Sequence, residues 1–200
     1  MSTTIRAIVG LGNPGAKHAR TRHNAGFWFA DALAAQHRSA FKTEARFHGE
    51  LARIGAESWL LLKPGTYMNR SGQAIQALMS FHKLAPEQIL VVHDDLDLPP
   101  GAVRLKSGGG HGGHNGLRDV HAHIGEQYLR LRLGIGHPGH KDQVLDYVLQ
   151  RPSAADEKAI RAGVDAAVAA FDVLMNRGWD KAVQQLHSIK SPLPAPRGEG

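Results

Sequence analysis

An apolar run from Ile5 to Val9 breaks into Gly10-Leu11-Gly12-Asn13-Pro14-Gly15, and this junction constrains the fold more than any other stretch. A short continuous apolar run bounded by turn residues reads as a buried strand. A Gly/Asn/Pro turn then places side chains at the strand's carboxyl end, where open α/β sheets build their sites. Asn13 in the turn offers an amide that can hold a carbonyl or a water. His23, in the following Thr21-Arg22-His23-Asn24-Ala25-Gly26, offers an imidazole that can take a proton near neutral pH.

The rest of the chain supports a sheet around that first strand. Strands are predicted at Ile5–Leu11, Gly49–Ile54, Trp59–Leu62, Ile89–His93, Val103–Lys106 and Leu129–Ile135. Helical patterns run over Ala25–His37, Ser71–His82, Leu117–Ile124, Gln143–Leu149 and Ala154–Asn176. Ser153 with Asp156 resembles a capping box at the start of the last of these, and Gly178 suits its end. Strands interleaved with helices favour an α/β fold. The Gly55-Ala56-Glu57-Ser58 link reads as a hairpin connection, which makes the sheet mixed. A single domain is expected over 1–190, followed by a disordered Pro/Gly-rich tail over 191–200.

Composition narrows the function classes. With 42% hydrophobic and 21% charged residues, 200 residues suit one globular domain with a real core. No apolar stretch approaches the ~20 residues of a membrane span, and Met1 to Arg6 lacks the apolar core of a signal peptide. The absence of cysteine excludes disulfides, thiolate catalysis and cysteine-ligated metals. These features point to a cytoplasmic chain without membrane partners. A net charge of +6 suggests a polyanionic partner.

Four segments carry the chemistry. Gly10-x-Gly12-x-x-Gly15 matches the dinucleotide fingerprint by letter, but Pro14 and the delayed helical pattern remove the helix N-terminus that a pyrophosphate needs. Lys63-Pro64-Gly65-Thr66-Tyr67-Met68-Asn69 leaves another amide at a strand-to-helix junction, where Asn69 could equally cap the helix. His93-Asp94-Asp95-Leu96-Asp97 closes the most apolar strand, and a carboxylate there can orient an imidazole or bind a cation. Gly108-Gly109-Gly110-His111-Gly112-Gly113-His114-Asn115-Gly116 lets backbone N–H groups approach a substrate or an anion. Its two histidines also raise a metal reading, without the Glu of the zinc-protease helix. Lys17, Arg20, Arg22, Lys106, Arg118, Arg130, Arg132 and Lys141 gather near these loops, which favours phosphate contact. No Gly-x-Ser-x-Gly elbow is present, so water is the expected attacker.

In this order the segments, with Gly-Ile-Gly-His-Pro-Gly at 134–139, resemble the bacterial peptidyl-tRNA hydrolase family over about Ile5 to Leu186. The resemblance implies one α/β domain with a twisted mixed sheet between helices, acting as a monomer without metal or cofactor. It implies hydrolysis of the ester between a peptide and the 3′-terminal ribose of tRNA, bound through its acceptor end, which recycles tRNA from aborted translation. By position it makes His23 the general base and Asp94 its partner. It makes Asn13, Asn69 and Asn115 the groups that position the substrate, with Met68 and His114 lining the cleft and Lys106 and Arg132 contacting tRNA phosphates. His18 stands where the family commonly has Tyr, so the substrate contact there is expected to be made differently. A metal-dependent hydrolase using His111, His114 and the acidic cluster, and a non-catalytic RNA-binding domain, are the competing classes.

Overall fold

β1 (Ala7–Gly10) runs through the middle of the sheet, paired in parallel with β4 (Trp59–Pro64) on one side and β5 (Ile89–Asp95) on the other. The computed structural model describes residues 4–190, so the tail expected to be disordered lies outside the described residues. All four residues of β1 are buried. Ala7 and Val9 enter one core with Ile75, Leu78, Val120 and Tyr128. Ile8 points the opposite way, into a second core with Phe29, Leu33, Phe171 and Leu174. This alternation is the period of two of a strand covered on both faces. Cutting Ile8 back to Ala would cost about 2–5 kcal/mol.

With β2 (Lys42–Glu44), β3 (Gly49–Ile54), β6 (Val103–Ser107) and β7 (Leu129–Gly134), the full strand order is β2-β3-β4-β1-β5-β7-β6. β3 is antiparallel to β4, β7 is parallel to β5, and β6 is antiparallel to β7. The sheet is therefore mixed, as the hairpin link predicted. α1 (Ala25–Gln36), α5 (Ala154–Arg177) and α6 (Trp179–His187) cover one face, and α2 (Ser71–His82) and α3 (Asn115–Ile124) cover the other. Ser153 Oγ accepts the Asp156 N–H at the start of α5. Among the described residues, no helix is long and apolar enough to cross a membrane.

Several elements depart from expectation. β2 (Lys42–Glu44) is an added edge strand. Its three polar, largely exposed residues carry no apolar alternation to announce it. α6 restarts directly after Gly178 (φ +92°), a residue that marks a corner between two helices as well as an end. The predicted helix near Gln143 is a 3-10 turn, Lys141–Gln143, followed by the short α4 (Val144–Val148). β5 runs past His93, because Asp94 and Asp95 still pair with Leu133 and Gly134 of β7. At the outer edge, the β6 N–H of Leu105 donates to His187 Nε2 of α6 at 3.0 Å.

Two glycines fix where α1 begins. A Cβ on Gly10 would stand 2.4 Å from the Gly26 carbonyl oxygen, and one on Gly26 would stand 2.5 Å from those of Leu11 and Val92. Only glycine permits so close a crossing. The start of α1 is thereby pressed onto the carboxyl ends of β1 and β5, and the residues just before it reach β5. Because α1 opens at Ala25 and not at the glycine turn, the turn offers no helix N-terminus to a dinucleotide.

Candidate active site

Asp94, near the end of β5, is 2% exposed and serves two imidazoles at once. His23, on the 3-10 turn Arg22–Asn24, places Nδ1 2.9 and 3.0 Å from its two carboxylate oxygens. His114 places Nε2 2.8 Å from Oδ1. His114 caps α3, its Nδ1 accepting the Leu117 N–H at 3.2 Å. That bond leaves the His114 proton on Nε2, facing the carboxylate. For His23 the carboxylate likewise holds the proton on Nδ1. Its Nε2 then carries the lone pair, with no hydrogen-bond partner among the described residues.

The electrostatics follow from this arrangement. Burial disfavours a charged Asp94, but the two imidazoles, by charge and hydrogen bond, hold its pKa well below the usual carboxylate range. Burial also disfavours the His23 imidazolium, yet the charge and hydrogen bond of Asp94 outweigh it and raise the His23 pKa above 6.5. His93 behaves oppositely. Burial, with His114 beside it, pushes its pKa down to about 4, and its Nδ1–H donates to the Asp94 carbonyl at 2.7 Å.

A cavity of about 290 Å³ opens beside His23, lined by Asp94, His114, Asn115, Lys106 and Arg132 and walled by Leu96, Val144, Leu145 and Val148. Lys106 is exposed and carries no ion pair among the described residues, whereas Arg132 Nε donates to Asp95 at 2.7 Å. Asn115 opens α3 and is exposed to the cavity. Met68 is buried against Gly116. Asn13 lies one step away. Its Oδ1 accepts the Met68 N–H at 2.7 Å, and its backbone exchanges two hydrogen bonds with the Asn24 amide. Asn69 is exposed on the 3-10 turn Met68–Arg70 and does not cap α2. His18 packs edge-on to the exposed Tyr67 at 6.4 Å between ring centres, outside the cavity.

Other residues proved to have different employment. Arg130, grouped by sequence with the phosphate contacts, is 2% exposed and donates to the carbonyls of Gly109 and Gly110 and to His121, so it pins the glycine-rich loop. Arg22 is buried, stacks 3.8 Å above the Tyr147 ring and donates to the Tyr147 carbonyl, tying α4 to the turn that carries His23. Arg20 pairs with Glu157. Sequence reasoning gave Asn24 no role and gave His114 a place in the cleft wall or, with His111, in a metal site, but not a bond to Asp94. The adjacency of Asn24 to His23 was the one available signal. His111 stands with His121, 5.6 Å between ring centres, rather than with the carboxylates. Among the described residues, the histidine–acid group that does assemble is His23, Asp94 and His114, with side-chain N and O atoms within 4.8 Å of one another.

The chain is similar to known proteins along nearly its whole length. The family model described as peptidyl-tRNA hydrolase matches residues 7–193. The peptidyl-tRNA hydrolase of Halorhodospira halophila is 52% identical over 187 residues, 92% of this chain and 96% of that protein. Its counterpart from Neisseria gonorrhoeae is 52% identical over 192 residues, 94% of this chain and 100% of that protein. The crystal structure of peptidyl-tRNA hydrolase from Acinetobacter baumannii superposes with a TM-score of 0.91 at 45% identity, covering 96% of this chain and 98% of that one. The kinship spans the fold and nearly the whole length, and the chain belongs to the peptidyl-tRNA hydrolase family.

Proposed function

We propose that this hydrolase cleaves the ester between a peptide's C-terminal carbonyl and the 3′-terminal ribose of tRNA, with water activated by His23. The observation that carries the reading is the buried His23–Asp94 pair, which leaves Nε2 as a free base beside a cavity flanked by cations. His23 Nε2 takes a proton from water as the oxygen attacks the carbonyl carbon. Asp94 stabilises the imidazolium that forms, and the same proton passes to the ribose oxygen as the C–O bond breaks. Free tRNA and a peptide carboxylate are the products, the second proton of the water passing to solvent as the new carboxyl group ionises. No serine is needed as nucleophile, and Ser71, close to Met68, has its hydroxyl committed to the Met68 carbonyl.

Amides supply the donors. Asn115 lines the cavity beside the base, and with Asn13 and Asn69 it holds the reacting carbonyl and the peptide backbone. An oxyanion donor is worth roughly 10²–10³-fold in rate. Met68 and His114 shape the cleft, and His18 with Tyr67 contacts substrate at its outer margin. Lys106 and the terminal nitrogens of Arg132 face the phosphates of the acceptor end. The chain is proposed to act as a cytoplasmic monomer, without metal or cofactor.

The test is release of the acyl group from N-acetylaminoacyl-tRNA and from free aminoacyl-tRNA, each with and without EDTA. Cleavage of the first, sparing of the second and indifference to chelation support the reading. Cleavage of neither overturns it. Activity lost to EDTA and restored by a divalent cation would instead make His23, Asp94 and His114 metal ligands.

A further inference from the structure

A second cavity, of about 250 Å³, lies between the first turns of α1 and the β3–β4 end of the sheet and shares no lining residue with the first. The division runs between adjacent residues, since His23 lines the first cavity and Asn24 the second. Asn13 lines its inner end, only 6% exposed, with Nδ2 unpartnered among the described residues. That is a donor placed for a carbonyl. Phe27 and Trp28 give it apolar walls, and Asp31, Glu50 and Lys63 stand at its outer end.

The charges there run against those of the molecule. Lys63 is fixed, with Nζ 2.6 Å from Asp31 and 3.6 Å from Glu50 and seated over Phe41 at 4.3 Å. Two half-exposed carboxylates therefore face one committed ammonium. A locally acidic margin on a chain of net charge +6 repels phosphate and attracts cations. The substrate of the reaction proposed above joins a polyanion to a peptide, and the peptide is the part that can bear positive charge. The cation-flanked cavity suits the RNA side of the ester, and the acidic one suits the acyl side.

Resting on that reading, we propose that the second cavity is a subsite for the peptide portion of the substrate. Asp31 and Glu50 favour acyl chains with an ammonium group upstream of the esterified residue. Asn13 links the subsite to the reaction centre by offering Nδ2 to the peptide backbone. The ammonium can be a lysine side chain or a free amino terminus.

The test uses three acyl groups on one tRNA: a neutral N-acetylated tripeptide, the same tripeptide with lysine first, and the neutral tripeptide with a free amino terminus. Wild type should show a KM roughly two- to fivefold lower for one or both charged acyl groups than for the neutral one, as exposed ion pairs allow. The charged substrate that gains identifies the source of the ammonium. The preference should shrink with added salt. Asp31→Asn combined with Glu50→Gln should equalise the KM values while leaving turnover of the neutral substrate unchanged. Equal KM values in wild type, or a preference that survives the double substitution, would overturn the proposal. Failure of wild type to cleave even the neutral substrate would overturn the hydrolase reading itself.

Discussion

At the residue scale, everything turns on a carboxylate shared by two imidazoles. Removing His23 should abolish most hydrolysis without unfolding the chain, because Asp94 keeps its bond to His114. His23→Ala is expected to lower kcat/KM roughly 10²–10⁴-fold, with an unchanged circular dichroism spectrum and unchanged tRNA affinity. Activity within threefold of wild type would refute the assignment. Asp94→Asn tests a different property. An amide oxygen at the Oδ1 position can still accept both ring N–H groups, but the amide nitrogen then stands in place of Oδ2, donor against donor with His23 Nδ1–H, and relieving that clash asks His23 to change tautomer. If His23 does so, its proton moves to Nε2 and the base is lost. Any activity that survives should also show a moved pH profile. His23 must be neutral to act, and Asp94 raises its pKa above 6.5, so the wild-type acid limb lies above that value. Losing the carboxylate leaves burial, which lowers it, and the limb should move to lower pH. An unmoved limb with a lowered plateau would separate Asp94 from the titration of His23.

At the element scale, the β6–β7 pair is the device that presents cations. Registers Arg104↔Arg132 and Lys106↔Arg130 put all four basic side chains on one face, two per strand by the period of two. Their duties differ by depth: Arg130 is spent on the glycine loop, while Lys106 is exposed and has no ion-pair partner among the described residues. Replacing Lys106 and Arg132 by Ala should raise KM for full peptidyl-tRNA and flatten its salt dependence, since fewer counterions are released. A short peptidyl ester without those phosphates should respond little. An equal fall in kcat on both substrates would place the two residues in the reaction centre. The same strands show how far the sequence could be read. Apolar runs announced β1, β4 and β5, because strands covered on both faces leave no doubt about burial. The polar residues at their ends could be named as site candidates for the same reason. Which arginine would be buried could not be read, because burial of Arg130 depends on loop carbonyls that only the folded chain brings near. The His114–Asp94 bond was hidden similarly, since it needs α3 to start at Asn115 and make His114 its cap.

At the scale of the whole molecule, the sheet has two rims, and each is finished differently. β2 is three residues long, polar and largely exposed, which makes it a poor template for another strand. β6 is longer, and its outward Leu105 N–H is occupied by His187 of the last helix. That stopper works only while the imidazole is neutral. Burial, with Arg104 and Arg132 near, keeps the His187 pKa below 6.5. Since protonation is disfavoured in the folded state, the contact is fully present above that value and is lost as the medium acidifies through the lowered pKa. His187→Ala should therefore behave at neutral pH as the wild type does in acid, with faster hydrogen exchange at Leu105 and growing light scattering as concentration rises. Equal exchange and scattering in both proteins would show that the helix backbone alone seals the rim. If the imidazole is the seal, the final turn of α6 guards the enzyme against filament formation, and its acid tolerance is set far from its chemistry.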